Sequence, residues 1–178
     1  MRYKKYNLIE IALSIAILAL GLTAIVSLFP LGFQEIGDSI GETYSSLVAD
    51  SMMAYVSREA YSDWNALDTI PTSKSSTVLD NTSGWSKLEG DIYDPGEGNG
   101  IYGLMLTSGS NSSITDFTGE ALLWKSKIKN LRAAGVSIAE LPYSDATALH
   151  LEISWPVEKP YGQRKKNTYY FELFNYNQ

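Results

Sequence analysis

Hydrophobic positions follow three regimes along the chain. From Leu8 to Phe33 they are almost continuous, with Glu10 as the single charge. Ile11 to Phe29 are nineteen consecutive residues without charge. As a helix rising about 1.5 Å per residue they span roughly 29 Å, close to the hydrocarbon thickness of a bilayer. Gly21, Thr23 and Pro30 interrupt this pattern, because glycine lowers helix propensity and proline removes a backbone donor, so a kink or soft segment is expected between Gly21 and Pro30. After Pro30 the apolar residues thin out to three- and four-residue spacing: Phe33, Ile36, Ile40, Tyr44, Leu47, Val48 and Tyr55, opposite Glu35, Asp38, Glu42 and Ser46. That spacing predicts an amphipathic continuation of the helix. Its end is expected near Trp64 to Asp68, where Ser62, Asp63 and Asn65 accumulate before Ile70-Pro71.

The third regime is alternation. Residues 71–100 are rich in Ser, Thr, Asp, Asn and Gly and read as loop, with a short strand at Ser76–Leu79 as the one element considered there. Ile101–Thr107 is short and apolar. Ala121–Lys129 alternates, with Leu122, Trp124 and Ile128 facing one way and Lys125, Lys127 and Lys129 the other. A helix over Glu120–Ala134 is the competing reading, and strand is chosen. Leu149, Leu151, Ile153 and Trp155 alternate with His150, Glu152 and Ser154; Tyr169, Phe171 and Leu173 alternate with Tyr170, Glu172 and Phe174. With the polar segment Pro156–Lys166 between them, the two runs predict a long hairpin. The fold class expected is α+β: a long N-terminal helix, half membrane and half amphipathic, packed on an antiparallel sheet of about four strands. The boundaries are a basic leader at 1–5, the membrane half at 6–31, the amphipathic half at 32–66 and an extracytoplasmic domain at 67–178.

Charge orients the first regime. Arg2, Lys4 and Lys5 precede it without an acidic neighbour, so the positive-inside rule keeps the N-terminus cytoplasmic and sends the C-terminal bulk across the membrane. A secretory signal peptide fits poorly, since the run exceeds roughly 7–15 residues, contains Glu10 and is followed by no A-x-A-like site. A plain signal anchor accounts for everything except Glu10. A carboxylate within a membrane helix costs about 2.5–3.5 kcal/mol on insertion scales and is a functional candidate that calls for a partner.

Lys-Lys-Tyr-Asn-Leu-Ile-Glu at 4–10, followed by an uncharged helix, resembles the N-terminus of type IV pilins and pseudopilins. Ile15–Leu22 and Leu28-Phe29-Pro30-Leu31-Gly32 look most like minor pseudopilins of the I type and V-type minor pilins. The resemblance implies cleavage by a prepilin peptidase between Lys5 and Tyr6, methylation of the new amine at Tyr6, and an assembly role for Glu10, which would meet the N-terminal amine of a neighbouring subunit. It also implies a locally melted helix in the filament, in a stretch comparable to Gly21–Pro30. Lys5 stands where the family nearly always has glycine, which enters a tight protease site without a side chain. Inefficient cutting, a divergent peptidase and an intact chain all remain open.

The remaining composition narrows the domain's chemistry. The chain carries −6 overall and residues 32–178 about −8, which argues against a nucleic-acid partner. There is no cysteine, so disulfides are excluded. Asp91, Asp94, Glu97 and Asn99 collect oxygens among glycines and form a weak calcium candidate, for which an ordinary acidic turn is the preferred reading. No other metal and no cofactor is expected. Gly37 and Gly41 form a small-residue pair, assigned to packing against the protein's own sheet. The only histidine, His150, reads as a solvated strand residue, and Gln163-Arg164-Lys165-Lys166 as a solvated hairpin tip. No catalytic constellation is recognisable, and no enzyme is expected. The expected role is a structural subunit of a type IV pilus or type II secretion pseudopilus, partnered by other pilins and prepilin peptidase. The alternative is a permanently anchored binding module that does not polymerise.

Overall fold

The computed structural model describes residues 7–107, 115–133 and 136–176, without the side chains of 31–38, 130–133 and 136–139. Lys5 and Tyr6, like Arg2 and Lys4, lie outside the described residues, as do the side chains of Phe33, Glu35, Ile36 and Asp38 and the surroundings of Gly37. The chain divides into two units at Ile40/Gly41.

One helix, α1, runs from Leu8 to Ser62 with Pro30 inside it. The expected interruption between Gly21 and Pro30 does not appear as a break in this helix. At its C-terminal end Asp63 turns to an extended backbone and its carboxylate accepts the Asn65 N–H at 3.0 Å, opening a short 3₁₀ helix over Trp64–Thr69. The side chain thus satisfies a donor that the new helical turn leaves unpaired.

In the second unit α1 buries Ser45, Val48, Ala49, Met52, Val56 and Ala60. This stripe is rotated from the expected one: Ile40 and Leu47 are exposed, and Tyr44 and Tyr55 only half-buried. Small residues explain the shift. Gly41, Ser45, Ala49 and Ala60 carry little hydrophobic signal, yet they let the helix axis lie close to the sheet. A Cβ on Gly41 would fall within the van der Waals envelope of the Trp155 indole, so this glycine does pack against the protein's own sheet.

The sheet is antiparallel and has six strands, not about four. The strands are β1 (Ser86–Glu89), β2 (Ile92–Asp94), β3 (Ile101–Thr107), β4 (Thr115–Ser126), β7 (Ala146–Trp155) and β8 (Lys165–Phe174), in the order β1-β2-β3-β4-β7-β8. A separate hairpin, β5 (Lys129–Ala133) and β6 (Val136–Glu140), is inserted between β4 and β7. Residues 76–79 are not a strand. β1 and β2 escape the alternation test because they are short and β1 is exposed throughout; Gly90, at φ +53°, makes the turn between them.

Both faces of the sheet are covered in part. Toward α1 lie Ile92, Leu104, Phe117, Ala121, Leu123, Leu149, Leu151, Ile153 and Trp155, each large apolar side chain stabilising the fold by about 1.5–3 kcal/mol when fully buried. On the other face Ile101 and Leu122 pack with Leu79 and Val157, beside Trp85, Trp124 and Tyr161. Lys125 corrects the sequence reading. It lies on the helix side next to Leu123 and is buried, its ammonium donating to Leu67 O at 2.8 Å and pairing with Asp68 at 3.1 Å. Lys127 and Lys129 are exposed as expected and pair with Glu140.

Candidate functional site

Leu8–Pro30 is the segment that stands out in the first unit. It is long and apolar enough to cross a membrane, and none of it is buried within the protein. Its hydroxyls are satisfied inside the helix: Ser14 donates to Glu10 O at 2.8 Å, Thr23 to Ala19 O at 2.8 Å and Ser27 to Ala24 O at 2.7 Å. Such back-bonding removes most of the polarity that lipid would otherwise have to accept. The Glu10 side chain sits exposed in the first turn, a position that also favours a negative charge near the helix N-terminus.

In the second unit the outward sheet face gathers the titratable groups. Register aligns Trp124, His150 and Tyr170 as cross-strand neighbours on β4, β7 and β8. The indole and imidazole stack at 5.2 Å, Tyr170 meets the imidazole edge-on at 5.1 Å, and His150 Nε2 lies 2.8 Å from the Ser126 hydroxyl. His150 is therefore half-buried in an aromatic row rather than solvated. The row beside it holds Glu152, which bonds the Lys74 ammonium at 2.6 Å and receives a short hydrogen bond from the Tyr161 hydroxyl. Burial pushes the Glu152 carboxyl up, but the Lys74 and Tyr161 hydrogen bonds outweigh it and leave its pKa below the ordinary value.

Ser126 and His150 have the contact of a nucleophile–base pair, yet among the described residues no carboxylate hydrogen-bonds the second ring nitrogen. This is half of the arrangement a triad requires. Burial depresses the His150 pKa, so the folded chain binds fewer protons than the unfolded one near pH 6.5. The resulting stability is fully present above that pH and is lost as pH falls through the depressed value. The melting temperature is expected to drop further between pH 7 and pH 5 in the native sequence than in His150→Phe, which keeps an aromatic stack. Equal drops would show that the imidazole does not contribute.

Arg164 overturns the solvated-tip reading. Its side chain is buried against Glu120, 2.9 Å away, and donates to Val157 O and Lys159 O at 2.7 Å and to Leu79 O. Glu120 also accepts the Leu79 N–H at 2.7 Å. Burial raises the Glu120 pKa, and the Leu79 N–H and Arg164 oppose that rise. A planar fork with five donors can serve several acceptors at once. One ion pair therefore ties the hairpin tip, β4 and the 71–85 segment together.

The calcium candidates do not converge. Asp91 sits at the β1–β2 turn and its carbonyl accepts the Met105 N–H at 3.1 Å; Asp94 ends β2 and accepts the Gly96 N–H at 2.8 Å. Glu97 and Asn99 are exposed in the turn that follows. Among the described residues no three acidic or histidine side chains come together to hold a metal. Tyr102, behind this turn, is desolvated, and its pKa is pushed up to about 12. Compared with family models, curated proteins and solved structures, the chain matches none of them.

Proposed function

We propose that this chain is a structural subunit of the pilin type, a minor pilin or pseudopilin. Leu8–Pro30 would hold it in the inner membrane with the N-terminus cytoplasmic, and its N-terminal helix would assemble into a type IV pilus-like or type II secretion filament. The observation that carries the reading is a single carboxylate, Glu10, on an otherwise apolar, outward-facing helix, set in Lys-Lys-Tyr-Asn-Leu-Ile-Glu. A charge paired in lipid is far cheaper than a lone one, and the amine of a neighbouring subunit is the partner that the motif implies. The layout of α1 packed on an antiparallel sheet in one α+β domain supports the same reading.

The intact mass and N-terminal sequence of the membrane-extracted protein test it. A methylated chain beginning at Tyr6 is the expected result. A chain still carrying Arg2–Lys5 would favour the second reading, an anchored binding module that never polymerises. Lys5 in the place of glycine is the observation that keeps that reading in view.

A further inference from the structure

β8 is the last strand of the sheet, and among the described residues no strand pairs with its outer side. The direction of its free backbone follows from the ladder. The Asn175 N–H donates to Asp145 O at 2.8 Å, and β7 and β8 pair without a register shift from Ala146↔Phe174 to Trp155↔Lys165. Hydrogen-bonded and non-hydrogen-bonded pairs alternate along an antiparallel ladder. Odd-numbered residues of β8 therefore bond to β7. Lys166, Thr168, Tyr170, Glu172 and Phe174 turn their N–H and C=O groups outward. The Leu123 N–H to Gly100 O bond across β3 and β4 leads to the same alternation when carried through β7.

Exposed edges are normally blunted by proline, bulges, short length or charge. β8 is ten residues long, contains no proline or glycine, and has charged side chains only at Lys165, Lys166 and Glu172. Beside its far end a groove of about 220 Å³ opens between α1 and the strand, walled mostly by apolar side chains, among them Ala60, Trp64, Leu173 and Phe174, with Glu172 also lining it.

We propose that this edge and groove form a docking site for an extended segment of another polypeptide, added to the sheet antiparallel to β8. The segment's chemistry follows from what it would face. Opposite Leu173, on the α1 side, an apolar residue enters the groove. The next residue faces Glu172 on the outer side and is Lys or Arg. Six residues later the segment faces Lys166 and is Asp or Glu. Glu172 accepts the Tyr170 hydroxyl at 2.7 Å; Lys166 rests on the Tyr161 ring at 3.3 Å and acts on Glu152 only through space; neither makes a direct ion pair among the described residues. β8 itself carries a base six residues before an acid, so a second copy could satisfy the charges. That register, however, would set Lys165 of the second copy opposite Leu173, where a mostly apolar wall favours an apolar side chain. A different polypeptide fits better.

The test uses the full chain in detergent micelles and a fluorescent peptide, Val-Lys-Val-Thr-Val-Thr-Thr-Glu, followed by anisotropy. This peptide is expected to bind about tenfold more tightly than its charge-swapped form, Val-Glu-Val-Thr-Val-Thr-Thr-Lys. The preference should invert in Lys166→Glu/Glu172→Lys, and N-methylation of the peptide's strand-facing amides should abolish binding. Equal binding of both peptides, or none, overturns the proposal. So does a concentration-dependent dimer of the full chain that Lys166→Glu dissolves, because the edge would then belong to a second copy.

Discussion

Arg164→Leu is expected to lower the stability of the second unit by about 3–5 kcal/mol, the cost of leaving one member of a buried ion pair without its partner. Glu120 and Arg164 are both almost wholly enclosed, their side chains 0% and 1% exposed. The substitution also takes donors from Leu79 O, Val157 O and Lys159 O, which moves the loss toward the upper end of that range wherever water does not replace the lost donor. Arg164→Lys keeps the charge but not the fork, and should recover only part of the loss. Glu120→Leu/Arg164→Leu should be less destabilised than the two single losses combined, because the uncompensated charge is gone. Denaturant unfolding of the full chain in micelles, followed by tryptophan fluorescence, measures all four proteins. A loss below about 1 kcal/mol for Arg164→Leu would mean that the tip is solvated after all, as its sequence first suggests.

That contrast shows where the sequence is readable. A run of Gln163-Arg164-Lys165-Lys166 between proline and a strand has the composition of a wet turn, and Lys165 and Lys166 are indeed exposed. Arg164 differs only through Glu120, forty-four positions earlier, which β4 carries onto the same sheet face. Nothing local marks that pair. Lys125 was hidden for a similar reason: its partner carbonyl, Leu67 O, belongs to a 3₁₀ turn that only tertiary packing brings near.

Where burial leaves a local period, the reading was reliable. β3 matches the expected Ile101–Thr107, and the β7–β8 hairpin alternates at the expected residues. Where small side chains set the approach of two elements the period misleads: the buried stripe of α1 keeps Val48 but runs through Ser45, Ala49 and Met52 instead of Ile40 and Leu47. The aromatic row on the outer face was legible only in part. His150 and Tyr170 fall on the expected side of their strands, whereas Trp124, expected on the apolar face opposite the lysines, shares the outer face with them; the alignment of all three depends on the register between three strands, which single-strand patterns do not contain.

Leu8–Pro30, long and apolar enough to cross a membrane, raises the reverse problem, because under the pilin reading proposed above its role is written locally and its partner lies on another chain. Glu10→Leu is expected to insert at least as well as the native sequence, since it removes a charge costing about 2.5–3.5 kcal/mol in the bilayer. Under the pilin reading it should nevertheless fall out of filaments. A neighbour's N-terminal amine would lose its counter-charge in lipid, and a penalty of that size corresponds to a loss of incorporation on the order of 100-fold. Glu10→Asp retains the charge on a shorter arm and should give an intermediate level. The two effects have opposite signs, so membrane content and filament content of the same cells, compared by immunoblot of separated fractions, distinguish them directly. Unchanged incorporation of Glu10→Leu would move the weight to the anchored module. In that case Glu10 would only favour the N-terminal end of the helix, a contribution of about 0.3–1 kcal/mol that assembly would not register.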